Sequence, residues 1–317
     1  MRQTVVARKF ILPIAFGFMA TAAQAAGVKE IDIPADAKGP AIHAMMWTPC
    51  TTPPKDIKIE EPLVVPGVRS CPIEGGKLPL IVVSHGGGGP VFEHHDTAEV
   101  LAGAGFIVVA LKHPNDPVPG IDQSWLVERP IDVQRLTEYM VRSSPAAAKI
   151  DPRRVGFFGF SRGGYTGLVL AGAIPDYPIL LKIWLQISAA FHKDLWTRPS
   201  GYDSRFKAFV IADPLSFFPD KASLQNVKAP IQLWGSERGG SGVLPEKVAA
   251  VARNLPTRPE FHQVPNSAHP SFAFPCMPAV AKVAVEFCTD PPGFDRAAFH
   301  KDFNMQVLAF FRKNLRK

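Results

Sequence analysis

From residue 78 onward, short continuous apolar runs alternate with stretches of helical periodicity. Few folds accommodate that pattern. Leu78–Val83, Phe106–Leu111, Val155–Phe158, Phe206–Ala212, Ile231–Trp234 and Phe261–Val264 read as strands buried on both faces, as in a parallel sheet. Between and after them Thr97–Ala104, Pro130–Arg142, Gly163–Ala173 and Pro245–Leu255 read as helices. Phe299, Phe303, Val307 and Phe310–Phe311 stripe a terminal helix that Asp295 would cap. Strand–helix alternation predicts a mostly parallel central sheet with helices on both faces, in one α/β domain over 26–317. Ile42–Trp47 reads as one earlier strand. Residues 49–77 are rich in Pro and Gly and read as a surface excursion. A second interruption, 175–205, is long for a plain connection and fits either a partial cap or an extra edge helix.

The first 25 residues are set apart from this pattern. Arg2, Arg8 and Lys9 precede an uncharged apolar run, and Ala23-Gln24-Ala25 supplies small residues for cleavage. This is the layout of a secretory signal peptide, so the protein is expected to be exported, periplasmic or secreted. The leader also changes the charge argument. The chain carries 35 basic and 28 acidic side chains, a net +7. Removing the three leader cations leaves +4, and no run of five Lys or Arg exists. Nucleic acid is therefore not an expected partner. No other apolar stretch is long enough to predict stable membrane insertion after cleavage. Outside the cytosol, disulfides persist. The four cysteines allow three pairings. Cys50–Cys71 and Cys276–Cys288 are expected, because each would staple a segment with little regular structure. No cysteine or histidine spacing suggests a metal, and no cofactor is expected.

The chemistry-bearing motif is Gly159-Phe160-Ser161-Arg162-Gly163-Gly164. A strand enters it and a small-residue helix leaves, which is the setting of a nucleophile elbow. A serine hydroxyl needs a base. Of nine histidines, His269 follows the last strand and lies C-terminal to Ser161. His262 falls within that strand and is expected to pack there. His94, His95 and His300 are expected at the surface or an interface. His113 ends a strand and could line the pocket, while His43 and His192 carry no signal. The base needs a carboxylate to orient it. Asp213 and Glu237 each follow a strand, and spacing does not choose between them. Asp203, Asp220 and Glu246 read as loop or helix-cap charges. His85-Gly86-Gly87-Gly88-Gly89 follows the first strong strand and, with the N–H of Arg162, forms an oxyanion hole. No phosphate-loop pattern accompanies it.

At these residues the chain resembles the α/β-hydrolase superfamily, and more narrowly its platelet-activating-factor acetylhydrolase-like / predicted dienelactone hydrolase group. The matching stretches are Ile81–Gly86, Ala104–Ala110, Gly159–Gly164 and Pro275–His300. The leader and the 49–77 excursion lie outside the resemblance. It implies an α/β-hydrolase fold and a serine hydrolase acting on small-molecule carboxylic esters. Short-chain or acetyl esters are implied first; lipase, polyester-hydrolase or amidase activity on the same triad, or a non-catalytic binding protein, are the alternatives. It also implies Asp213 as the acid in preference to Glu237, and the N–H of Gly87 as the first oxyanion donor. Dienelactone hydrolases proper use a cysteine nucleophile, so Ser161 departs from their chemistry.

Overall fold

The computed structural model describes residues 25–116, 123–177 and 201–316. The leader and most of the 175–205 interruption, with its possible cap, lie outside the described residues. Ten strands form one sheet: β1 (Ala25–Ile33), β2 (Ile42–Cys50), β3 (Lys55–Glu60), β4 (Leu63–Arg69), β5 (Leu78–Ser84), β6 (Ile107–Leu111), β7 (Ile150–Phe160), β8 (Phe206–Ala212), β9 (Ile231–Ser236) and β10 (Glu260–Val264). Their order is β10-β9-β8-β7-β5-β6-β2-β1-β4-β3. Strands β5 to β10 are mutually parallel, and β2 joins β6 antiparallel.

The unbroken apolar runs follow from two-sided burial. Side chains alternate across a strand. Leu80 and Val82 therefore enter one core layer, while Ile81 and Val83 enter the other. The first layer is covered by α2 (Trp125–Arg142), α3 (Arg162–Leu170) and α5 (Pro245–Asn254), with Leu136, Leu168 and Val251 fully buried. The second is covered by α1 (His95–Gly103) and α8 (Arg296–Asn314), through Leu101, Phe303, Val307 and Phe311. Short helices α4 (Lys221–Leu224), α6 (Pro278–Val283) and α7 (Val285–Cys288) complete the set. Asp220 caps α4, and Asp295 caps α8 by accepting the N–H of Ala298 at 3.0 Å.

Three expectations change. Helix α2 begins at Trp125, five residues before Pro130. A proline there cannot donate to the carbonyl four residues back. That carbonyl, Leu126, instead accepts the Tyr165 hydroxyl at 3.2 Å, so the helix tolerates the break. The 49–77 excursion contains the β3–β4 hairpin at the sheet edge. Ile57, Ile59, Leu63 and Val65 alternate with polar or exposed residues there, a period of two that the prolines obscured. Strand β1 was not anticipated; it pairs along its whole length with β2.

Both expected cysteine pairs form disulfides, Cys50–Cys71 and Cys276–Cys288. The segments they staple are packed together. Leu63 and Val65 of the hairpin share a small core with Phe274 and Val280, beside Cys276 and Cys288. No helix among the described residues is long and apolar enough to cross a membrane.

Candidate active site

Ser161 lies at the sharp turn between β7 and α3, with φ 57° and ψ −116°. A positive φ is costly for a non-glycine residue and marks a position that its surroundings over-determine. The flanking glycines show how tight the turn is. A Cβ at Gly159 would fall 2.2 Å from the Gly163 carbonyl oxygen, and one at Gly163 would fall 2.0 Å from that of Ser84. No side chain fits at either position, so the motif's glycines are steric requirements of the elbow.

The carboxy ends of β5, β7, β8 and β10 deliver the remaining groups to the same edge of the sheet, where sites of open α/β folds lie. His269 Nε2 stands 3.0 Å from Ser161 Oγ. Its Nδ1 stands 2.7 Å from Asp213 Oδ2. An ionised carboxylate only accepts, so Nδ1 carries the proton and Nε2 is left to accept from Ser161. Asp213 is fully buried and also accepts from the Ser236 N–H and hydroxyl, both at 2.8 Å. The Phe160 ring stacks on His269, centroids 4.6 Å apart, and the His269 N–H bonds to the Gly239 carbonyl. The imidazole is thus held at both nitrogens, on one face and at its backbone.

Glu237 is not part of this group. It is exposed, and its carboxylate accepts the Asn266 N–H at 2.6 Å, bracing the turn that precedes His269. Asp213 and Glu237 end adjacent parallel strands, but only Asp213 sits one strand from the elbow, facing His269. Ser236, which orients Asp213, was not singled out in the sequence.

The glycine loop lies beside Ser161. Gly86 donates its N–H to Glu93 Oε2 and Gly88 to Asp116 Oδ2, each at 2.6 Å. Between them, the Gly87 N–H meets no acceptor among the described residues. A Cβ on Gly87 would lie 2.7 Å from the Arg162 side chain, so the loop and the residue after Ser161 are in contact.

Beneath the loop is a buried clamp that sequence reasoning missed. Arg129 donates to the carbonyls of His85 and Gly86, both at 2.8 Å, and pairs with Asp116 through two bonds. Arg162 reaches the same carboxylate at 3.0 Å while its guanidinium lies 4.6 Å from the Trp125 ring centroid. One carboxylate therefore ties the glycine loop, α2 and the residue after Ser161. The available signal was an arginine on the apolar, core-facing side of α2. Its carboxylate partner lies 13 residues earlier, just after β6, but the carbonyls it holds are 43 and 44 residues away.

Burial raises the Asp116 carboxyl, but the Arg129 charge and hydrogen bonds outweigh that and hold it at about 2. A carboxylate depressed in the fold stabilises it above its unfolded value near 3.8, and that stabilisation is lost as pH falls through the folded value. The gap in urea midpoint between wild type and Asp116→Asn is expected to be wide at about pH 6 and to narrow below about pH 4. A constant gap across that range would show that the charge is not what stabilises the loop.

Of the three histidines expected at the surface or an interface, none is a surface group: His94 and His300 are buried, and His95 is half-buried. His94 packs against Phe158 and Phe160. His300 Nδ1 faces Asp96 at 2.7 Å and its Nε2 faces the Ser271 carbonyl, pinning α8 to α1 and to the segment after His269. Asp96 lies 204 residues from His300 in the chain, whereas His95 faces Glu99, one turn on in α1, at 3.0 Å. His113 bridges Ser84 and Asp132 beneath the glycine loop, each at 3.0 Å. Burial and the nearby Arg129 charge hold His113 well below the usual imidazole range and His85 down at about 3. Both are neutral struts near pH 7. His262 stacks on Trp234. Asp203 pairs with Arg205, and Glu246 lies in the first turn of α5. Among the described residues no cluster of three or more His, Cys, Asp or Glu is placed to hold a metal ion.

No family model matches the chain, and no curated protein sequence matches it. Among solved structures, it is similar to a ferulic acid esterase from Streptomyces cinnamoneus, with a TM-score of 0.65 over 93% of this chain and 91% of that one. The sequence identity is 18%, so the likeness speaks to architecture. Together with the strand order and the elbow, it establishes that this chain has an α/β-hydrolase fold.

Proposed function

We propose that the protein is an exported serine hydrolase of carboxylic esters. The observation that carries this reading is the continuous hydrogen-bonded line Ser161–His269–Asp213, with the base tautomer set by a buried carboxylate. In the proposed reaction Ser161 Oγ attacks the acyl carbon as His269 Nε2 takes its proton. The carbonyl oxygen becomes an oxyanion held by the N–H groups of Gly87 and Arg162. Such donors are each worth roughly 10²–10³ in rate. The intermediate collapses, the C–O bond to the alcohol breaks, and His269 returns the proton to the leaving oxygen. Water then attacks the acyl-enzyme by the same route, regenerating Ser161. Asp213 remains ionised throughout and stabilises the imidazolium.

The resemblance to the platelet-activating-factor acetylhydrolase-like group supports small acyl groups, acetyl first. The two disulfides fit an oxidising compartment outside the cytosol. A fluorophosphonate probe is expected to label Ser161 stoichiometrically, with loss of activity on ethyl acetate in step. Intact-mass and peptide mapping read the result. No adduct, or an adduct elsewhere, would instead favour a non-catalytic binding protein on this fold.

A further inference from the structure

The glycine loop has a second face, directed away from Arg129. On that side lies an apolar groove of about 360 Å³, bounded by Gly87, Leu63, Phe92, Phe274, Val280 and Phe287. Ligand cavities run from roughly 300 to 1,000 Å³, so this one is sized for a ring or a medium chain, not a long lipid tail. Its walls are built, not incidental. Leu63, Phe274 and Val280 are buried, and the Phe274 ring contacts those of Phe92 and Phe287 at centroid distances of 6.3 and 5.6 Å. Each of the two disulfide-stapled segments supplies part of the wall: the β3–β4 hairpin gives Leu63, and α6–α7 give Val280 and Phe287.

We infer that this groove binds an apolar group carried on one side of the ester, of about the size of a phenyl ring or a six-carbon chain. The inference rests on the reading of Ser161 as nucleophile. It follows from continuity, because Gly87 both lines the groove and supplies a proposed oxyanion donor. A group attached to the reacting carbonyl, on the acyl or the alcohol side, therefore starts at the groove's end. Charge narrows the class further. Two carboxylates border the groove, Glu93 and the exposed Glu61, and no cationic side chain among the described residues lines it. Glu61 is already paired with Lys58, Glu93 accepts the Gly86 N–H and the Lys112 ammonium is engaged by the Gly89 carbonyl, so the lining offers no cation of its own to a carboxylate or phosphate and favours neutral apolar groups. The half-buried Ala284 is the one small side chain in the α6–α7 wall.

The test compares wild type with Ala284→Phe, which fills the groove, and Phe287→Ala, which widens it. Three neutral esters are used: ethyl acetate as the reference, ethyl hexanoate for the acyl arm and 2-phenylethyl acetate for the alcohol arm. Active enzyme is counted by fluorophosphonate titration, so a partly misfolded variant does not distort the ratios. Ala284→Phe is expected to lower kcat/KM relative to ethyl acetate by about tenfold or more in one arm, the scale of a pocket that loses its fit. The arm affected identifies the side of the ester. Phe287→Ala is expected to raise KM in that same arm. Ratios unchanged in both arms would overturn the groove assignment while leaving the esterase reading intact. A wild type that labels with the probe but turns over none of the three esters would overturn both.

Discussion

Replacing Ser161 by alanine is expected to cut ester turnover by about 10⁶-fold while leaving the fold in place, the scale found when a nucleophile is removed from a serine triad. The size follows from what is lost. Alanine keeps the backbone, and the Ser161 N–H still bonds to the Ala212 carbonyl at 3.0 Å. The elbow is also steeply determined by Gly159 and Gly163, so its geometry survives the substitution. Only the Oγ and its bond to His269 disappear. Covalent catalysis then ends, and what remains is water attack assisted by His269 and the oxyanion donors, still roughly 10³-fold above the uncatalysed rate. Initial rates on ethyl acetate, with the melting temperature as a control for folding, provide the measurement. A variant within tenfold of wild type would exclude Ser161 as nucleophile.

Asp213→Asn is expected to lower kcat by about 10⁴-fold, whereas Glu237→Gln should stay within a few-fold of wild type. Asp213 accepts three hydrogen bonds, two from Ser236 and one from His269 Nδ1. An asparagine has one acceptor oxygen and one donor amide. If the oxygen serves Ser236, the amide faces His269 Nδ1 and forces the other tautomer. Nε2 then carries a proton toward Ser161 Oγ and has no lone pair with which to take another. The lesion is in the base, with little change in packing. Glu237 holds a turn through one exposed bond to Asn266, and a glutamine oxygen can still accept that bond. Comparing both variants by kcat against pH provides the check. A crippling effect of Glu237→Gln alone would transfer the acid's role to that residue.

The strands were legible because two-sided burial removes the polar alternation that would otherwise blur them, as at Ile81–Val83 and Phe206–Ala212. The β3–β4 hairpin was not legible, since Pro62, Pro66 and Gly67 look like loop residues when the period of two around them is ignored. The start of α2 was misplaced for a related reason. Proline is normally read as a helix boundary, and the carbonyl it orphans is satisfied by Tyr165, 39 residues on in sequence but adjacent in space. The interior place of His300 was not legible because its partner is remote. Asp96 and His300 are brought together only by the packing of α8 on α1.

By itself the sequence determined what acts over a few residues: the alternation of buried strands and helices, the glycines that let the chain turn at Ser161, and the cysteine pairs close enough to close small loops. Those features rest on backbone sterics and local periodicity, which neighbouring residues specify. The tertiary structure alone decided which strand-end carboxylate faces His269, since Asp213 and Glu237 have equivalent local settings and differ only in their strand's place in the sheet. It also decided the Asp116–Arg129 clamp and the groove between the two stapled segments. Each depends on distances of a few ångströms between residues from separate elements, and those distances exist only once both layers of the core have packed.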